Sequence, residues 1–235
     1  MQSYQINSQI KTLVIISVFL GLILVPSTIG NSSDETRMDD VRLIYLTGFG
    51  PFLNFTENPS ELIVNALNQT IVEDHLVHGR ILPVDFTEAP RIIREDIELL
   101  KPDLIVCLGL DASCNGLTIE LIAMNLQYDP VVEKPLTSLK RIQKQAPFII
   151  PTRLDVWPMY QDLNGNDIDV ELSMSAGLYV CNTVFYETLY HLKQQELEIP
   201  MGFIHVPLRQ TNNTSGMNID TMTDGIITIL SSNIL

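Results

Sequence analysis

Cysteine, histidine and basic side chains are scarce in this chain, and each shortage removes a class of function. Three cysteines and four histidines among 235 residues include no metal-ligand spacing. Neither a metal site nor a cofactor is therefore predicted. Fourteen Lys and Arg stand against 28 Asp and Glu, a formal net charge of −14. Nucleic acid and anionic membranes are thereby disfavoured as partners, because both demand clustered cations. A transmembrane helix needs about 20 consecutive apolar residues, whereas the run from Leu13 to Val25 holds thirteen. Internal repeats and low-complexity tracts are absent. Gly48-Phe49-Gly50 lacks the third glycine of a dinucleotide-binding loop, and Pro51 blocks the helix start that would meet a phosphate.

What is present at the N-terminus reads as a targeting segment. Lys11 precedes the thirteen-residue apolar run, no acid occurs before it, Pro26 breaks it, and Thr28-Ile29-Gly30 supplies small residues for cleavage. The expected division is a signal peptide over 1–30, a short acidic linker over 31–40 and one α/β domain over 41–235. Sequons at Asn31, Asn54, Asn68, Asn212 and Asn213 agree with a secretory or extracellular location, with no stable membrane anchor after cleavage. Three cysteines are an odd number, so an oxidising compartment would leave at least one thiol unpaired. Cys181 is the expected free one, and Cys107, inside an apolar run, reads as a buried small hydrophobe.

A hydrophobic content of 46% suits a single packed domain. Strands are expected over 41–46, 103–108, 118–126, 167–172 and 202–206, with a short extended piece at 82–84. The signature Asn58-Pro59-Ser60-Glu61 combines a cap, a first-turn proline and an early acid, and predicts a helix over 59–67. Further helices are expected over 87–100, 180–194 and 221–230. Continuous apolar strands alternating with helices predict a three-layer α/β/α sandwich around a mostly parallel twisted sheet. The stretch 127–160, with five prolines and the only Trp, reads as an irregular excursion over the functional site.

The chemistry-bearing residues are Cys181, His205 and Glu120. A thiol needs help to become the attacking thiolate at neutral pH. Gly177 permits a sharp turn that places Cys181 in the first turn of a helix, where the positive end of the dipole favours the anion. His205, near the end of a neighbouring strand, is placed to take the thiol proton and return it to a leaving amine. Glu120 suits the carboxylate that fixes the imidazole tautomer. Each residue alone also has a plain structural explanation, as a buried thiol, a core histidine or a surface acid.

Ser175-Ala176-Gly177-Leu178-Tyr179-Val180-Cys181-Asn182, Gly202-Phe203-Ile204-His205-Val206-Pro207, Leu46-Thr47-Gly48-Phe49-Gly50-Pro51-Phe52 and Asn58-Pro59-Ser60 occur in this order. Together they resemble the pyroglutamyl-peptidase I family of cysteine peptidases. The resemblance implies a Cys181, His205 and Glu120 triad that removes N-terminal pyroglutamate from peptides through a thioacyl-enzyme. It also implies that Phe49 and Phe52 sandwich the lactam ring, while backbone groups near Val84, Leu110 and Val180 bind its C=O and N–H. The chain departs from the family pattern at Leu121, at Pro130, at Ser113-Cys114 and at Arg209-Gln210-Thr211. The family's oxyanion-region arginine is thus missing, and Arg209 and Arg153 are the available substitutes. Two readings stay open: an active peptidase, or an impaired relative that binds pyroglutamyl-blocked N-termini.

Overall fold

The computed structural model describes residues 42–130, 132, 135–212 and 214–234. The chain divides into two units, 1–37 and 38–235, and all described residues belong to the second. The predicted signal peptide, the acidic linker, and the sequons at Asn31 and Asn213 lie outside the described residues.

A seven-stranded sheet in the order β2-β3-β1-β4-β9-β5-β8 forms the middle layer. Its strands are β1 (Leu43–Phe49), β2 (Ile71–Val72), β3 (His75–Leu82), β4 (Leu104–Leu110), β5 (Leu117–Glu120), β8 (Val170–Ser173) and β9 (Met201–Val206). β1 is parallel to β3 and β4, β4 to β9, and β5 to β8. β2 against β3 and β5 against β9 run antiparallel. Every residue of β4 and β9 is buried, as central strands covered on both faces require.

On one face lie α1 (Pro59–Leu67), α3 (Val156–Gly165) and α5 (Ile219–Ser231), packing Ile63, Val64, Met159, Leu163, Met222 and Ile226 against Leu46, Val106 and Ile204. On the other lie α2 (Glu88–Leu100) and α4 (Val180–Gln194), where Ile93, Ile97, Val184 and Phe185 meet Tyr45, Ile105 and Phe203. Two apolar clusters on opposite faces make the predicted three-layer sandwich. The cap of α1 forms as expected, since the Asn58 side chain accepts from Ser60 N at 3.1 Å. For α2 the acceptor is Asp85, whose Oδ1 takes the amides of Thr87 and Glu88 at 2.8 and 2.7 Å, and not Thr87 itself.

Several expectations need correction. The short extended piece at 82–84 begins at the last residue of a full strand, His75–Leu82, which lies between β2 and β1. The predicted strand over 118–126 is two strands, because the chain leaves the main sheet after Glu120. β6 (Ile122–Met124) then pairs antiparallel with β7 (Ile149–Pro151) in a separate two-stranded sheet. The stretch 127–160, expected as an irregular excursion over the site, holds β7 and the start of α3, and none of its described residues lines the cavity of Cys181 and His205. Its segment 143–147 docks on α4, where Glu187 accepts from Gln143 Nε2 at 2.8 Å and the Tyr186 hydroxyl donates to the Pro147 carbonyl at 2.6 Å. A run of polar and proline residues is held there by hydrogen bonds that periodicity does not reveal.

Candidate active site

Cys181 lies in the first turn of α4, one residue past its start at Val180. The chain reaches that point from β8 through Gly177, whose φ of +72° only glycine adopts cheaply. Tyr179 at the helix cap makes no side-chain cap bond, and no acid occupies the first turn. The positive end of the helix dipole is therefore left to the thiol.

The neighbouring strands explain where the sulfur sits. Gly109 on β4 is in register with His205 on β9, and a Cβ built on Gly109 would lie 2.9 Å from Cys181 Sγ and 2.8 Å from Phe203 Cζ. The empty side-chain position on β4 is thus the seat of the thiol. His205 in turn receives its orientation from the antiparallel β5. Thr118 is in register with His205 and Glu120 with Phe203, so Glu120 reaches His205 diagonally across the same face. Its Oε1 lies 2.8 Å from His205 Nδ1, with side-chain exposures of 7% for the histidine and 2% for the glutamate. With Nδ1 held by the carboxylate, Nε2 is the nitrogen left for Cys181.

Burial opposes charge on His205, but hydrogen bonds to Cys181 and Glu120, together with their charges, outweigh it and raise its pKa to about 10. The other two thiols have no such partner chemistry. Cys107 is fully buried and pushed up to about 12 by desolvation, and Cys114 is pushed up to about 11 by the same cause. All three cysteines are free.

Cys181 and His205 open onto a cavity of about 260 Å³ that Phe49, Phe52, Phe55, Val84, Leu110 and Val180 also line. All five residues predicted to contact substrate are therefore brought to the two predicted catalytic groups. Phe49 is nearly enclosed, its amide accepted by Ser60 Oγ at 3.0 Å. The Phe52 and Phe55 rings stand 5.3 Å apart on the connection to α1. Among the described residues no lysine or arginine lines the cavity. Arg209 forms a two-pronged pair with Glu57, at 2.7 Å for each contact, and Arg153 donates to the Leu197 carbonyl. The expectation that either replaces an oxyanion arginine is thus corrected: both guanidiniums are engaged elsewhere.

Asp111, Ala112 and Tyr179 also line the cavity and had no sequence expectation attached. For Asp111 and Ala112 the available signal was position, since they directly follow the carboxyl end of β4, where open α/β sheets place their ligands. Asn182, next to the thiol, is fully buried and holds β6 and the residues just after it. Its Oδ1 accepts from Met124 N at 2.9 Å and its Nδ2 donates to the carbonyls of Met124 and Leu126 at 2.8 Å.

A thiol at a helix start, an imidazole beside it and a carboxylate behind the imidazole, at the strand ends of a three-layer α/β sandwich, define the layout of an α/β thiol hydrolase. The chain belongs to the pyroglutamyl peptidase family, whose model matches residues 42–228. It is 38% identical over 180 residues to a pyrrolidone-carboxylate peptidase of Oceanobacillus iheyensis, spanning 74% of this chain and 89% of that protein. A pyrrolidone-carboxylate peptidase of Thermococcus litoralis is 32% identical over 176 residues, covering 71% of this chain and 77% of the relative. The solved pyrrolidone carboxyl peptidase from Thermococcus litoralis superposes with a TM-score of 0.76 at 28% identity, over 82% of this chain and 93% of that one. Bacillus amyloliquefaciens pyroglutamyl peptidase I gives 0.75 at 26% identity, over 82% and 96%.

Proposed function

We propose that this chain is a cysteine peptidase that removes pyroglutamate from peptide N-termini, with Cys181 as nucleophile, His205 as general acid and base, and Glu120 as the group that orients the imidazole. The observation that carries the reading is the continuous relay from Glu120 through His205 to Cys181 at the wall of an apolar, aromatic-lined cavity. Cys181 attacks the pyroglutamyl carbonyl as a thiolate, and the first-turn amides of α4 receive the developing oxyanion. His205 protonates the leaving amine, giving a thioester. Water then attacks that thioester, with His205 taking its proton, and free pyroglutamate leaves.

The lactam is neutral and flat, which matches walls made of Phe49, Phe52, Val84, Leu110 and Val180. Aromatic faces cover its ring carbons, and backbone groups satisfy its C=O and N–H. The missing oxyanion arginine implies a slower enzyme, because removal of one oxyanion donor costs about 10²–10³ in rate. The intact relay favours turnover over mere binding of blocked N-termini.

The test offers a chromogenic pyroglutamyl amide, with reductant, to protein lacking residues 1–30. Release of chromophore that disappears in Cys181→Ala is the expected result, and no release above that control would refute the assignment. We further infer secretion, supported by the leader pattern and by the exposed sequon asparagines Asn54, Asn68 and Asn212. A mature N-terminus near residue 31 and a mass loss on glycosidase treatment are its expected marks.

A further inference from the structure

The cavity contains one carboxylate that the reaction does not use. Asp111 lines it beside Cys181 and His205, directly after β4 ends at Leu110. Its backbone amide donates to the Val206 carbonyl at 3.0 Å, which ties it to the residue after His205. Ser113 donates to Asp111 Oδ1 from its amide at 2.8 Å and from its hydroxyl at 2.6 Å. Oδ2 has no partner among the described residues. The carboxylate is ionised at neutral pH: burial works against its charge, but the Ser113 bonds and the neighbouring His205 imidazole hold its pKa below the usual range.

His205 hands its proton to the leaving amine, so the residue that owns this amine, the one following pyroglutamate, must lie on the His205 side of the cavity. Asp111 stands on that side. Ala112, Ser175 and Gly177, which line the same cavity, are small and uncharged, and among the described lining residues no lysine or arginine neutralises it. A lactam ring has no positive group to offer this carboxylate, whereas the side chain of the following residue does. We propose that Asp111 selects the residue after pyroglutamate, favouring peptides with lysine or arginine there and rejecting those with glutamate or aspartate. The proposal rests on the peptidase reading.

Three peptide amides that differ only in the second residue, pyroglutamyl-lysyl, pyroglutamyl-alanyl and pyroglutamyl-glutamyl, separate the two ideas. The expected lysine-to-glutamate ratio of kcat/KM is about tenfold, in line with an attraction and a repulsion that are each partly solvated. It falls toward one in Asp111→Asn, which keeps the Ser113 bonds, and inverts in Asp111→Lys. Raising the salt shrinks it. A ratio near one in the native protein, or one unchanged in Asp111→Asn, overturns the proposal. Cleavage of the alanyl peptide reads the peptidase assignment by itself. Calorimetric binding of the same three peptides to Cys181→Ala reads the charge preference even without turnover: equal affinities overturn it, and tighter lysyl binding supports it.

Discussion

Gly109 carries as much of the site as some of the reacting groups, although it has no side chain to react with. The space over its Cα holds Cys181 Sγ, and any Cβ there would press on the sulfur and on Phe203 at under 3 Å. Gly109→Ala must therefore displace Cys181 Sγ, the proposed nucleophile, because Phe203 is fully buried and unable to yield. A misplacement of about 1 Å costs about 10²-fold in rate, so kcat is expected to fall by that order. Thermal unfolding of the same variant separates this effect from a loss of fold. Cys181, His205 and Glu120 were singled out by residue type and local setting, and joined as a triad only through the family resemblance of the motifs around them. Gly109 was not, since its importance comes from a thiol seventy-two residues further along the chain.

α4 both presents the thiol and anchors the end of β6, and Asn182 joins the two tasks. Three hydrogen bonds run from its enclosed amide to the backbone of Met124 and Leu126. Asn182→Ala removes all three bonds from these partly buried backbone groups, each bond contributing about 0.5–1.5 kcal/mol. The expected loss of unfolding free energy is about 3 kcal/mol, measured by the denaturant midpoint at constant slope. Glu57 and Arg209 pin the connection that carries Phe52 and Phe55 in a comparable way, with both groups partly exposed. Helices α1, α2 and α4 were legible from caps, prolines and apolar spacing. β3 was not, because its polar and basic positions, His75, His78 and Arg80, hide a strand whose place comes from pairing with β1.

For the molecule as a whole, His205 links folding to pH. Its pKa rises from an ordinary 6.5 to about 10 in the folded chain. The folded state thus binds a proton that the unfolded state gives up earlier. The resulting stabilisation is complete below about pH 6.5 and drains away as the pH climbs through about 10. The denaturant midpoint is expected to decline between these limits, and to decline less in Glu120→Gln, where the imidazole loses its anionic partner. The alkaline limb of activity should shift to lower pH in the same variant.

Amino-acid order alone specifies the caps, the first-turn location of Cys181 and the continuous apolar strands, because these depend on interactions within a few residues. The meeting of Glu120 with His205, eighty-five residues apart, depends on β5 entering the sheet antiparallel to β9. The exit of the chain after Glu120, the docking of 143–147 on α4 and the exposure of Asp111 to the cavity are of the same kind. Each rests on pairing between distant segments, whose closure entropy is repaid only when the whole sheet assembles.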